Sequence, residues 1–162
     1  MRMPLSYEKR KGMTVNKNTQ LFFEDVNVGD APPTFERKTG FIEWGRFAGA
    51  NEEHVVIHED DEEARRVGLP GAIGMGNLRM VYVHNMLTDW IGEAGWIKKV
   101  GLQYRGMNLK NDTVIAKGKV IRKYEQDGEF LVELEIGAEN QKGEVTAPGL
   151  AIVSLPSRTR KA

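Results

Sequence analysis

The chain has 162 residues, which predicts a single domain that buries about two-thirds of the surface of its unfolded chain. Basic and acidic side chains are equal in number, 23 of each, so we expect neither nucleic acid nor a membrane as a partner. The absence of cysteine excludes disulfides, thiolate chemistry and zinc sites with Cys ligands. No apolar run is long enough to span a membrane and the N-terminus lacks a signal-peptide core, so a cytoplasmic location is expected.

Basic segments flank the predicted folded unit. Residues 1–18 contain five Lys or Arg, one Glu and few large apolar side chains, which predicts a flexible basic tail. Residues 157–162 predict a second, C-terminal basic tail. Residues 19–156 contain no repeat and no linker, so we expect them to form one domain.

The first half of this domain is predicted to be largely helical. Two prolines favour extended backbone and a short strand over residues 34–38. Thr39 is then a candidate cap for a helix over residues 40–50. A second helix is expected to begin at Asp60, because Glu63 follows three residues later, at the spacing of a capping box.

A long central helix is predicted over residues 77–91. Apolar side chains cover most of its circumference, which predicts burial on several sides, and Gly92 is expected to end it. His84, inside this helix, is expected to be a packing residue. The preceding residues 68–76 contain too many glycines for regular structure and predict an irregular segment that lines a pocket.

The second half of the domain predicts an antiparallel sheet. Alternating apolar residues and the turn pairs Asp127-Gly128 and Lys142-Gly143 indicate strands around residues 100–104 and over 113–122, 129–140 and 145–155. Pro148 cannot donate to a strand ladder, so we expect it at an edge position or a bulge. The predicted fold class is α+β, with an antiparallel sheet wrapped around the long central helix.

Ionisable side chains are concentrated in the stretch FAGANEEHVVIHED, residues 47–60, which contains His54, His58 and a run of carboxylates. The β-branched residues 55–57 are expected to be buried. Glu53 and His58 would face about 140° apart on a continuous helix, so they can act on one water or substrate only if the chain turns between them. The alternative interpretation is that His58 is a structural residue ahead of a helix cap and Glu53 is a surface acid.

This stretch, together with the opening FEDVNVGD and the later Gly74-Met75-Gly76, resembles the MaoC-like dehydratases, which are hot-dog-fold enoyl-thioester hydratases. The family pattern is Tyr-Ala-x-x-Ser-Gly-Asp-x-Asn-Pro-Ile-His-x-Asp, followed later by Ala-His-Gly-Met at the central helix. In this chain the matching residues are Ala48, Ile57, His58, Asp60 and Gly76. The replaced positions are Phe47 for Tyr, Asn51 for Ser, Glu52 for Gly, Glu53 for the catalytic Asp, Val55 and Val56 for Asn-Pro, Met75 for the later His and Asn77 for Met.

The resemblance implies a hydro-lyase that reversibly adds water to trans-2-enoyl-CoA thioesters and gives (R)-3-hydroxyacyl-CoA in fatty acid metabolism, with no metal and no other cofactor. Glu53 and His58 would then be catalytic. The backbone N–H of Gly76 would receive the charge of the thioester oxygen, since a helix N-terminus offers unpaired N–H groups and a positive dipole end. The implied substrate pocket contains Val55, Val56, Met75 and Asn77.

A homodimer or higher homo-oligomer is also expected, because the exposed edge of a sheet invites pairing with a second copy. The resemblance implies the same assembly. Candidates for binding the CoA phosphates rest on charge alone; they are Lys98, Lys99, Arg105 and Lys110.

Two other functions stay open from the sequence. A non-catalytic acyl-CoA-binding subunit of a hetero-oligomeric dehydratase is suggested by the replaced Asn and Pro and by Glu53 at the Asp position. A hot-dog acyl-CoA thioesterase would typically use an acidic residue of the central helix, where Asp89 is available.

Overall fold

A computed structural model describes residues 20–159. Its helices are α1 (Phe41–Asn51), α2 (Asp61–Arg66) and α3 (Gly76–Ile91). Its strands are β1 (Phe35–Lys38), β2 (Trp96–Leu102), β3 (Thr113–Gln126), β4 (Glu129–Glu139) and β5 (Val145–Leu155), in the sheet order β1-β3-β4-β5-β2. Every strand pair is antiparallel and α3 packs on one face of the sheet, so the predicted α+β class is confirmed.

Strands β3, β4 and β5 form the predicted meander. The chain reverses at Asp127-Gly128 and again at Gly143, where φ values of 52°, 73° and 78° lie in the left-handed region that tight hairpins require. Within residues 20–159, strands β1 and β2 each have a single neighbour and form the two edges of the sheet. The tail predicted for residues 1–18 lies outside the described residues.

Helix α3 fills the concave side of the sheet. Tyr82, Val83, Met86 and Leu87 are buried against apolar side chains of the strands. The opposite side of the helix, with Val81 37% exposed, has no such cover. The seven buried residues of α3 nevertheless cover more than half of its circumference at about 100° per residue, so the prediction that it is buried on several sides is confirmed apart from the side of Val81.

Thr39 does not cap α1, contrary to the prediction. The N-cap residue is Gly40, and no side chain accepts a hydrogen bond there. Thr39 instead is buried and donates from both its backbone N–H and its hydroxyl to the carbonyl of Asp112, at 2.9 and 3.3 Å. Its side chain therefore joins β1 to the loop before β3.

Pro148 lies on the interior strand β5, opposite Gly137, so its prediction as an edge or bulge residue was wrong. Strand β2 has already ended at the Leu102–Gly149 pair, one residue away. The Pro148 carbonyl still accepts from the backbone N–H of Gln103 at 2.8 Å. A proline fits here because the paired part of β2 has already ended on the side to which the Pro148 nitrogen points, so no ladder bond to β2 is lost.

The beginning of the predicted C-terminal tail is anchored to the start of the domain. The Ser157 hydroxyl donates to Glu24 at 2.5 Å, and both Nη atoms of Arg158 donate to Asp25 at 2.7 Å. These hydrogen bonds from Arg158 hold the pKa of the Asp25 carboxyl below its ordinary value. Among residues 20–159, no helix is long and apolar enough to cross a membrane.

Candidate active site

The chain turns between Glu53 and His58, as their joint action would require. Helix α1 ends at Asn51, and Glu52 has a left-handed backbone with φ 55°. A short turn then follows, in which the His58 N–H donates to the Val55 carbonyl at 2.9 Å. The predicted order of helix, irregular loop and new helix is confirmed.

Asp60 ends this loop and caps α2. Its Oδ1 accepts from the backbone N–H groups of Glu62 and Glu63 at 2.7 and 3.0 Å. The Glu63 side chain does not complete the predicted capping box, because it pairs with Arg66 at 2.5 Å. The cap was predicted correctly, and its reciprocal bond was not.

His58 is fixed by a backbone carbonyl. Its Nδ1 lies 2.7 Å from the carbonyl oxygen of Ile73, and the N–H of Ile73 donates to the carbonyl of Ile57 at 3.1 Å. A carbonyl oxygen can only accept, so Nδ1 carries a proton. In the neutral imidazole, Nε2 is then the unprotonated nitrogen and can take a proton from a water molecule.

The glycine-rich segment before α3 is held by several separate elements. The Ala72 N–H donates to Asp61 Oδ1 at 2.9 Å, and the Gly74 N–H donates to the Asn108 carbonyl at 2.7 Å. A Cβ at Gly74 would lie 3.1 Å from Nε1 of Trp44, so glycine allows the indole to approach closely. The backbone that leads to Gly76 is therefore fixed in place.

Gly76 is the first residue of α3, and Met75 precedes it without a side-chain cap, so the N–H of Gly76 is one of the unpaired donors of a helix N-terminus. The ring of Tyr104 lies against this glycine, where a Cβ would come within 3.2 Å of two ring carbons. The Tyr104 hydroxyl donates to Asn77 Oδ1 at 3.3 Å. Tyr104 was predicted only as a strand residue, and its alternating pattern carried no sign of this contact.

Glu53 is half-buried on the loop, where its Oε2 accepts from Asn51 Nδ2 at 3.3 Å. In the described part of the chain, no hydrogen bond joins Glu53 directly to His58. The neighbouring His54 is exposed and pairs with Glu59 at 2.8 Å. Of the two histidines in this stretch, only His58 therefore contacts the segment that leads to α3.

The residues predicted to line a substrate pocket have different environments. Val55 and Val56 are 40% and 53% exposed, so their predicted burial was wrong, and Asn77 is also exposed. The wrong prediction followed from treating three consecutive β-branched residues as core. Ile57 is half-buried, and its carbonyl accepts from the N–H of Ile73. Met75 is buried in the core beside Trp44.

Two of the cations considered for CoA phosphates have carboxylate partners. Lys98 pairs with Glu129 at 2.7 Å, and Lys110 pairs with Asp61. Arg105 donates to Gln103 at 3.1 Å and lines a groove of about 750 Å³ on the outward face of the sheet. None of the residues predicted to be catalytic lines that groove. Within residues 20–159, no three His, Asp or Glu side chains are grouped so that they could hold a metal ion.

Asp61 joins α2 to the segment before α3, and we expect this tie to depend on pH. Hydrogen bonds from Lys110 and from the Ala72 N–H hold the pKa of the Asp61 carboxyl below its ordinary value. Its contribution to stability is therefore present above about pH 4 and is lost as the pH falls through the lowered pKa. Asp61→Asn should lower the melting temperature at pH 7, and the difference from wild type should vanish in acid.

Thermal unfolding followed at several pH values measures this effect. The control is Glu62→Gln, an exposed acid of the same helix, which should unfold as wild type does. Equal melting temperatures of Asp61→Asn and wild type at pH 7 would show that the hydrogen bonds of Asp61 do not stabilise the fold.

The arrangement of five antiparallel strands around α3 is the hot-dog fold of (R)-hydratases and MaoC-like dehydratases. An (R)-hydratase from A. caviae, involved in PHA biosynthesis, is similar with a TM-score of 0.74 and 21% identity over 82% of this chain and 99% of its own. A MaoC-like dehydratase from Rhodospirillum rubrum has a TM-score of 0.70 and 21% identity, over 86% of this chain and 99% of its own. A chain of the ChsH1-ChsH2 complex from Mycobacterium tuberculosis has a TM-score of 0.69 and 22% identity, over 80% of this chain and 98% of its own.

No family model matches the sequence, and no curated protein matches it. At these identities the structural similarity shows the fold alone. The resemblance inferred from the sequence motif is therefore confirmed at the level of the hot-dog fold.

Proposed function

We propose that the protein is a cytoplasmic hydro-lyase that reversibly hydrates trans-2-enoyl-CoA to (R)-3-hydroxyacyl-CoA. The observation that carries this proposal is the 2.7 Å hydrogen bond from His58 Nδ1 to the Ile73 carbonyl. It holds an imidazole with a free Nε2 against the segment that leads, three residues later, to the uncapped N-terminus of α3. A proton acceptor and an oxyanion donor are thus parts of one hydrogen-bonded unit.

In the proposed reaction, Glu53 and His58 bind one water molecule and remove its proton. The water oxygen forms a bond to C3 of the enoyl group, and the electrons of the double bond move towards the thioester carbonyl. The N–H of Gly76 donates to the resulting oxyanion. The proton that the base took from the water then adds to C2, which restores the carbonyl and the free base and completes the addition of water. Each step needs only side chains and backbone of this chain and the substrate.

Enoyl-CoA substrates of different chain lengths test the proposal directly. Loss of absorbance of the conjugated enoyl thioester, without release of free thiol, is the expected result. Thiol release would indicate a thioesterase instead. Unchanged absorbance and no thiol, at enzyme concentrations near those of the substrate, would exclude both activities.

A non-catalytic acyl-CoA-binding subunit is the second candidate. It is favoured by the exposure of Val55 and Val56 beside the proposed site, which offers an apolar surface for another chain. The thioesterase is not favoured, because Asp89 is exposed and lies about 20 Å along α3 from Gly76 at the rise of a helix.

We expect the protein to form a homodimer through the edge strand β2. In the described part of the chain this strand pairs only with β5, and Trp96 at its start is 69% exposed. An unpaired edge beside a large apolar side chain favours association with a second copy. Light scattering at micromolar concentration should give a mass near twice 18.2 kDa. A mass near that of one chain would contradict the dimer.

A further inference from the structure

Arg79, in the first turn of α3, is a buried cation. The residue is 5% exposed, and its Nη1 donates to the carbonyls of Gly106 and Thr146 at 2.6 and 3.1 Å. Across the described residues Arg79 has no carboxylate partner, and its Nε is buried without a hydrogen bond. Burial lowers the pKa of its guanidinium, which nevertheless stays charged at neutral pH. A buried charge without a counter-charge is costly, because no partner offsets its desolvation.

The guanidinium lies close to the N-terminus of the helix. Arg79 follows Gly76 by three residues, about 4.5 Å along the axis, and helical side chains incline towards the N-terminus. Its Cζ lies 4.9 Å from the centre of the Tyr104 ring, and the same ring contacts Gly76. The ring of Tyr104 therefore contacts both the guanidinium of Arg79 and Gly76.

A small cavity behind this turn does not supply the missing negative charge. Its volume is about 10 Å³, enough for one water molecule. Its lining includes Trp44 and Asn108, whose Nε1 and Nδ2 are also buried without partners, and it contains no Asp or Glu. One water molecule there would accept from at most two of the three unpaired donors and would leave the positive charge of Arg79 uncompensated.

We propose that Arg79 is a positioning residue whose unpaired charge strengthens the Gly76 N–H as a donor to an enolate oxygen. This inference rests on the proposed function, in which that oxygen becomes negative. The charge of the substrate in the transition state then supplies the counter-charge that the folded chain lacks, and the low dielectric of the buried site makes the interaction strong. Its two bonds to the Gly106 and Thr146 carbonyls also hold Tyr104 against Gly76.

The enolate of acetoacetyl-CoA tests this without any turnover. This thioester loses a proton from C2 to solvent and forms an enolate with its own near-ultraviolet absorbance, and it has no double bond to hydrate. At one fixed pH, wild-type protein should raise the enolate fraction of the bound thioester. Arg79→Met, which is similar in length but uncharged, should lower that fraction about 10-fold or more, whereas Arg79→Lys should retain a large part of it.

The matched control is Arg122→Met, an exposed arginine on β3 that pairs with Glu133 at 2.9 Å and should leave the enolate fraction unchanged. Melting temperatures of all variants separate charge from folding. If Arg79→Lys and Arg79→Met lose the signal equally and in step with their melting temperatures, Arg79 acts only in stability and the proposal is wrong. Failure of wild type to bind acetoacetyl-CoA, or to change its enolate fraction, also overturns it.

Hydration of crotonyl-CoA, measured on the same variants, distinguishes this inference from the proposed function. We expect Arg79→Met to lower kcat with little change in KM, because the charge acts on the developing enolate. Hydration by Arg79→Met at the wild-type rate would contradict the role of Arg79. An enolate shift in a wild-type protein that does not hydrate crotonyl-CoA would instead refute the hydratase and retain the role of Arg79.

Discussion

Replacing His58 by Ala should lower the turnover number for enoyl-CoA hydration at least about 100-fold, the usual scale for a general acid or base. The fold should change little, because the imidazole is only half-buried and its one hydrogen bond within the described chain joins two loops. Losing the ring removes the proton acceptor and also releases the Ile73 carbonyl. Single-turnover kinetics with crotonyl-CoA and a thermal melt measure the two effects separately.

The other two histidines provide matched controls. His84 is half-buried on α3, so His84→Ala should act mainly on stability, and exposed His54 should affect neither quantity strongly. If activity falls equally in His58→Ala and His84→Ala, in proportion to unfolded protein, His58 is a structural residue.

Glu53→Gln should remove most hydration activity and leave thioester binding nearly intact. The amide has the shape of the carboxylate but cannot take a proton. Glu53 follows the left-handed Glu52, and its backbone N–H donates to the Ala48 carbonyl at 3.1 Å, so the start of its side chain is fixed by the end of α1. Binding measured by isothermal titration with a saturated acyl-CoA separates affinity from turnover.

Glu53→Asp should also be impaired, because the loop is fitted to a side chain that is one methylene longer. The control is Glu52→Gln, whose exposed side chain should be dispensable. The backbone at position 52 should keep its left-handed conformation in that variant, since Gln tolerates this φ nearly as well as Glu does. Hydration by Glu53→Gln at the wild-type rate would remove Glu53 from the mechanism and leave His58 as the only base of the loop.

Local signals in the sequence predicted much of the fold. The cap at Asp60, the hairpins at Asp127-Gly128 and Gly143 and the end of α3 at Gly92 depend on one or two residues and their neighbours, and the structure has each of them. The turn between α1 and α2 was also predicted, from a helix over residues 40–50 and a second helix that begins at Asp60. The spacing of Glu53 and His58 showed only that their joint action would require such a turn.

Features that depend on distant partners were not predictable in the same way. Thr39 pairs with Asp112, and Pro148 is tolerated because β2 ends one residue earlier; neither fact can be read from neighbouring residues. The exposure of Val55 and Val56 depends on which elements cover the loop. Arg79 did carry a signal, since a single cation shares a helical face with Tyr82 and Val83, but its interpretation needed the contacts with Tyr104 and Gly106.

The loop that carries Glu53 and His58 is bound to the rest of the chain far more sparsely than the sheet is. Most of its backbone bonds are local. Two bonds cross to another segment: the Ile57 carbonyl accepts from the N–H of Ile73, and the His58 imidazole donates to the Ile73 carbonyl. The β3–β4 ladder, by contrast, extends from Ile115–Glu139 to Gln126–Glu129. Amide hydrogens of the loop should therefore exchange with solvent through small local openings, at much lower free energy than those of the ladder. A preparation can thus retain its full circular dichroism spectrum and cooperative unfolding while the side chains of Glu53 and His58 are no longer held in fixed positions relative to each other.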